Sequence, residues 1–190
     1  MDPIWIVLLI LLAIALLYGV FVYNQLVQLK HNLKQSWSNI DVLLKQRHDE
    51  LPKLVDTCKE HMAFEQSTLE KVMQARAQVA SAREAGNIPA LGQAETQLRL
   101  GLGNLFAVAE AYPELRASDS FQHLQTRITA LESSIADRRE YYNASVNLYN
   151  IRVEQFPDML IARQFGFRPE ALLMLSEAEL QDHSVRQLFS

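Results

Sequence analysis

The sequence predicts an all-α fold: an N-terminal transmembrane helix that continues into an elongated antiparallel bundle of long helices. Three observations carry this reading. Residues 4–22 are apolar and uncharged. The apolar residues of the remainder recur at spacings of three and four. No stretch alternates long enough to argue a strand. Residues 1–23 read as the anchor, 24–168 as the bundle, and 169–190 as a C-terminal tail with a short helix.

The anchor comes first. Ile4 to Val22 is 19 residues without a charge or a proline, and fourteen of them are Leu, Ile, Val or Phe. A helix of that length measures about 28 Å, close to the hydrocarbon thickness of a bilayer. Trp5 lies at one end, with Tyr18 and Tyr23 near the other, which suits two interfacial aromatic belts. The rival reading is a cleaved signal peptide, with Ala13-Ile14-Ala15 as the cleavage site. Against it, only Met1-Asp2 stands where a basic region belongs, and seven largely apolar residues follow Ala15. The C-terminal flank carries Lys30 and Lys34 and the N-terminal flank no basic residue, which predicts the N-terminus outside and the bulk of the chain in the cytoplasm.

Beyond the anchor, Leu26, Leu29, Leu33, Trp37, Ile40 and Leu44 form one stripe. Leu51, Leu54, Val55, Cys58, Met62, Leu69, Val72 and Met73 form a second, with a weak turn near Glu65. Leu91, Ala94, Leu98, Leu102, Leu105 and Ala109 form a third, and Phe121 through Phe156 a fourth. Pro52 can start or kink a helix. Gly86-Asn87-Ile88-Pro89 is a break with Pro89 placed to open the next helix, and Tyr112-Pro113 ends that one. Ser118 or Asp119 can cap the fourth helix and Pro157 closes it. Gly166 breaks a final apolar stretch, Pro169 is placed to begin a terminal helix, and Ser176 with Glu179 suggests a capping box. The first helix is expected to reach about residue 50, roughly 70 Å from its start, and the one over 119–157 about 55 Å. Such single-stripe helices are not stable alone in water, so they must bundle.

Composition narrows the function. Of 190 residues 21% are charged and the net charge is −4, so nothing electrostatic favours a nucleic-acid partner. Six Gly and six Pro leave little room for the long loops that usually carry catalytic groups. The lone Cys58 excludes an internal disulfide or a cysteine-based zinc cluster. Cys58 and His61 are three residues apart on one face, but two ligands do not make a metal site, and Cys58 reads as core. Gly101-Leu102-Gly103 lacks the third glycine of a dinucleotide loop and reads as a close helix approach. No cofactor is implied, and no nucleophile, base and oxyanion donor converge, so the chain does not read as an enzyme.

Polar positions on the stripes are the candidate sites. Tyr142-Asn143 and Tyr149-Asn150 are seven residues apart, so each pair falls on one helical face. The structural reading has the rings pack and the amides bond neighbouring helices; the functional alternative is a ligand-binding polar face. Asp41 lies beside Trp37 and Leu44 and needs a partner, with Arg47, Arg138 or Arg139 as candidates. The tail is dense in apolar residues, among them Met159, Leu160, Phe165, Phe167, Leu172 and Leu173. They either cap the bundle or form a patch for another subunit or for lipid.

Several segments together resemble a known family. They include Tyr23-Asn24-Gln25-Leu26-Val27, Trp37-Ser38-Asn39-Ile40-Asp41-Val42 and Leu51-Pro52-Lys53-Leu54-Val55. Ala111-Tyr112-Pro113-Glu114-Leu115-Arg116, the two Tyr-Asn pairs, Phe156-Pro157 and Phe165-Gly166-Phe167 follow in order. The chain resembles the LemA family of bacterial membrane proteins over about residues 20–168 and departs from it after Arg168. The resemblance implies a single-pass, N-outside anchor in the inner (plasma) membrane and a helical-bundle domain. It supplies no catalytic residues. Some members are encoded near membrane metalloproteases or TPM-domain proteins. The expected function is a membrane-anchored scaffold whose partners are the bilayer and further copies of itself, organising or shaping the membrane. The alternative is a monomeric adaptor or regulator of another membrane protein, such as a membrane protease.

Overall fold

The computed structural model describes residues 3–62 and 64–175. Among them are six helices and no strand: α1 (Pro3–Lys59), α2 (Gln66–Glu84), α3 (Ile88–Ala109), α4 (Pro113–Arg116), α5 (Asp119–Glu154) and α6 (Asp158–Gln164). The fold is all-α, as the spacing predicts. The chain divides into two compact units, Met1–Ser38 with Glu140–Ala171, and Asn39–Arg139 with Leu172–Ser190.

In the first unit, α1 begins with the apolar segment. It is long and apolar enough to cross a membrane, and its most apolar stretch is not buried. Further along, Val22, Leu26 and Leu33 are buried. Their cover includes the last third of α5, which buries Tyr142, Val146, Tyr149 and Val153. Ser36 and Ser145 sit with their hydroxyls 3.2 Å apart, small residues that let α1 and α5 approach closely. α5 ends at Glu154, ahead of Pro157, and the short α6 follows. At its end Gly166 takes φ of +72°. The amide of Phe167 then reaches the Ala162 carbonyl at 2.9 Å and that of Gly166 reaches Arg163 at 3.3 Å, a Schellman cap.

The second unit holds the rest of α1, where two expectations fail. α1 does not stop near residue 50 but runs through Pro52 to Lys59. Proline has no amide hydrogen, so the His48 carbonyl loses its donor four residues on. Arg76 of α2 replaces it, its Nε donating to the His48 oxygen at 2.9 Å. The apolar run expected from Leu51 to Met73 is also broken. The amides of His61 and Met62 both turn back to the Cys58 carbonyl, at 3.1 and 2.8 Å, and α2 starts only at Gln66.

α2 and α3 form a hairpin. Gly86 at φ +63° closes α2. The Asn87 side chain accepts the Ala90 amide at 3.0 Å and so caps α3, with a proline in its first turn. A Cβ at Gly101 would lie 3.4 Å from Val72, so this glycine does permit close approach, whereas Gly103 faces open space. Ser118 rather than Asp119 caps α5, accepting the Phe121 amide at 3.4 Å. Phe121, Leu124, Ile128, Leu131 and Ile135 then line the core of this unit with Ile40, Leu44, Leu51 and Leu54.

No helix begins at Pro169. Residues 167–175 are irregular, and the capping box at Ser176 and Glu179 lies outside the described residues. The missing helix is explained by what holds the tail.

Candidate functional site

Irregular backbone needs hydrogen-bond partners from elsewhere. In the first unit α5 supplies them. Asn150 clasps Glu170 through both of its amide atoms: Nδ2 donates to the Glu170 carbonyl at 2.9 Å, and Oδ1 accepts the Glu170 amide at 2.8 Å. Two turns earlier, the Tyr142 hydroxyl donates to the Ala171 carbonyl at 3.1 Å. Burial and then the nearby Glu170 push the Tyr142 phenol up to about 12. Tyr149 is buried, its phenol raised by burial first and Glu170 second. The Tyr142 ring also packs on Trp37 with centroids 5.5 Å apart, and Asn143 is half-buried. The Tyr142 ring thus packs on a neighbouring helix, while the Tyr142 hydroxyl and the Asn150 amide grip a segment of tail.

Below this clasp lies an aromatic and ionic corner. Tyr23 packs against Phe165 at 4.8 Å and Phe167 at 5.9 Å between centroids, and Lys30 lies 5.6 Å over the Phe167 ring. Asp158, only 1% exposed, accepts from three side chains. The Tyr18 hydroxyl donates at 2.8 Å, Arg152 Nη1 at 2.6 Å and Gln155 Nε2 at 2.7 Å. A buried carboxylate needs such hydrogen-bond partners to offset its lost hydration. Trp5, at the far end of the apolar segment, is exposed.

The apolar tail residues separate. Phe167 and Leu173 are buried, Met159 is half-buried, and Leu160, Phe165 and Leu172 are exposed. In the second unit Leu173 reaches Gly92 of α3, where a Cβ would fall onto the Met174 carbonyl oxygen. Gly92 thus lets the tail backbone lie directly against α3.

The second unit also buries a charge that sequence reasoning misassigned. Arg47, 1% exposed, does not pair with Asp41. Its Nη2 lies 2.5 Å from Glu95 on α3 and its Nη1 2.5 Å from Glu132 on α5. One guanidinium thereby ties three helices. Burial works against the Arg47 cation, but the two carboxylates outweigh it and hold the group protonated. Burial raises Glu95, with Arg47 opposing. Asp41 is instead half-exposed, its carboxylate 3.6 Å from Arg83 of α2. It points off the stripe, whereas Arg47 sits on it, between Leu44 and Leu51. Glu95 likewise sits on the stripe of Leu91 and Leu98 and Glu132 beside that of Leu131 and Ile135, a legible signal. Asp158 gave none, since its tyrosine partner is 140 residues away.

Among the described residues no three or more His, Cys, Asp or Glu side chains gather to hold a metal. The groove between α2 and α3 is lined by residues such as Gln78, Ser81, Asn87, Gln93 and Gln97, with no ionisable group on its walls.

These features sit on a chain whose relatives can be named. A family model described as the LemA family matches residues 36–186. The chain belongs to the LemA family. Magnetosome protein MamQ 2 of Paramagnetospirillum magneticum is 29% identical over 169 residues, covering 77% of this chain and 62% of that protein. Magnetosome protein MamQ of Magnetospirillum gryphiswaldense is 27% identical with the same coverage. Protein LemA of Metamycoplasma hominis is 25% identical over 189 residues, 98% of this chain and 85% of the relative. This LemA-family chain thus spans 62% of the length of the magnetosome relatives it matches.

Proposed function

We propose that this LemA-family protein is a non-catalytic, membrane-anchored scaffold whose copies assemble through the outer face of α5. One observation carries the reading. From Tyr141 to Ile151 the helix has no charged residue. It buries one face, Tyr142, Val146, Tyr149 and Val153, and leaves a second apolar face in solvent. Tyr141, Leu148 and Ile151 on that face are 58%, 54% and 49% exposed. Tyr141 and Leu148 are one heptad apart and Ile151 falls on the same side, the spacing of a helix-packing seam. Anchored copies stand parallel and at one height above the bilayer, so the seam of one copy meets its neighbour in register. Closed symmetry is the usual result of such packing. Lys30 and Lys34 support a cytoplasmic placement in the inner (plasma) membrane.

The test is the mass of the full-length protein in mild detergent, beside a Leu148→Glu/Ile151→Lys variant. A discrete oligomer that the variant reduces to monomer, with helix content unchanged, supports the scaffold. A monomeric wild type at working concentration overturns it. That outcome leaves the adaptor reading, in which the same face binds a different membrane protein, to be pursued by crosslinking.

A further inference from the structure

The end of α5 and all of α6 fold back onto the last turns of the apolar segment of α1. Three contacts fix the level. Tyr18 bonds Asp158 at 2.8 Å. Ile161 comes within 3.5 Å of a Cβ position at Gly19. Tyr23 packs on Phe165 at 4.8 Å. α6 therefore lies beside residues 18–23, where the segment Ile4–Val22 ends. Phe156, just before α6, and Leu160, on its side away from Asp158 and Ile161, are 77% and 57% exposed, and Phe165, on the side that packs on Tyr23, is still 59% exposed. The one carboxylate on α6, Asp158, is buried against Arg152, Gln155 and Tyr18, so the helix presents no bare negative charge on this side. Arg163 and Arg168, both exposed, flank the aromatics.

We infer that α6, with Phe156 and Phe165, is seated in the headgroup–acyl boundary of the leaflet from which the anchor emerges, forming a second membrane contact beside the first. The occupant of the apolar face is phospholipid. The face is continuous with a segment whose own apolar side chains are uncovered and which is long enough to span a bilayer. An amphipathic helix at that depth puts its apolar side among acyl chains and its arginines at the phosphates. Aromatic rings favour the same zone. The buried Asp158 cluster is what makes the placement tolerable, because it holds the helix to the anchor without exposing charge to lipid. With one contact on one side, the anchor has a fixed rotation as well as a fixed depth.

The test uses the full chain at one copy per lipid nanodisc of phosphatidylcholine and phosphatidylglycerol, so self-assembly does not enter. Leu160→Cys places an environment-sensitive fluorophore on the face; Cys58 is buried and its thiol, pushed up to about 11, stays unlabelled. Ala130→Cys, on an exposed position of α5, is the control. The expected result is strong quenching of the Leu160→Cys label by lipids brominated near the headgroup, with at least several-fold protection from a water-soluble quencher relative to the control. A label as open to the water-soluble quencher as the control overturns the inference. So does a label shielded from both quenchers, which would mean that protein covers the face.

Discussion

Arg76 donates its Nε hydrogen to the main-chain oxygen of His48 at 2.9 Å, the oxygen that Pro52 leaves without a helical donor. The proline does not break α1 because a side chain of the next helix completes the ladder. The defect and its repair are on different elements, so they should be coupled.

Removing Arg76 should therefore cost less where Pro52 has been replaced. Arg76→Ala is expected to destabilise by about 1 kcal/mol, the net worth of a hydrogen bond. In a Pro52→Ala background the restored amide satisfies His48 and most of that cost should vanish. A double-mutant cycle by chemical denaturation measures the coupling. Strict additivity would mean that the Arg76 bond does not compensate the proline.

The Arg47 cluster should respond differently to one change than to three. Arg47→Met leaves Glu95, 6% exposed, as a buried carboxylate without its cation and is expected to cost about 3–5 kcal/mol. Replacing the set, Arg47→Met with Glu95→Leu and Glu132→Leu, should recover most of that loss or exceed the wild type. Denaturant midpoints decide between the two outcomes. A less sharp transition in the triple variant would show that the cluster selects helix register.

Tyr142 should give the protein an alkaline limb. Its folded phenol is raised from 10.0 to about 12, so the stabilisation it brings is fully present below 10 and is lost as pH rises through about 12. Ionisation also removes the hydrogen donated to Ala171. Tyr142→Phe should lower stability near neutral pH by about 1 kcal/mol and flatten the decline between pH 10 and 12. Denaturation midpoints across that range test it. Tyr149, also raised, is the comparison.

Gly92→Ala tests the seat of the tail. In an open helix the change would stabilise by about 1 kcal/mol through propensity. Here the new Cβ meets the Met174 carbonyl, and overpacking against backbone costs about 1–3 kcal/mol. The net effect should be destabilising, with faster amide exchange at residues 172–175. A stabilised protein with an unchanged tail would count against the contact.

The helical class, the apolar segment and most core positions were legible because each is set by spacing along one chain. A stripe of Ile40, Leu44, Leu51 and Leu54 must be buried whatever covers it. The breaks at Gly86, Pro113 and Pro157 were legible for the same reason, since they are properties of single residues. Where a break depended on a partner, the reading failed. Pro52 looked like a boundary, and only Arg76, 24 residues further on, explains why it is not.

The candidate sites divide along the same line. The sequence by itself determined that Tyr142, Asn143, Tyr149 and Asn150 share a face and that the tail is rich in apolar residues; the stripe positions of Arg47 and Glu95 were a signal that went unread. Tertiary structure alone decided that Asn150 holds Glu170, that Arg47 pairs with Glu95 and Glu132 rather than with Asp41, and that Asp158 meets Tyr18. Periodicity fixes the direction in which a side chain leaves its own helix. It carries no record of which distant group waits there, and for a buried charge or an irregular backbone that distant group is the whole of the chemistry.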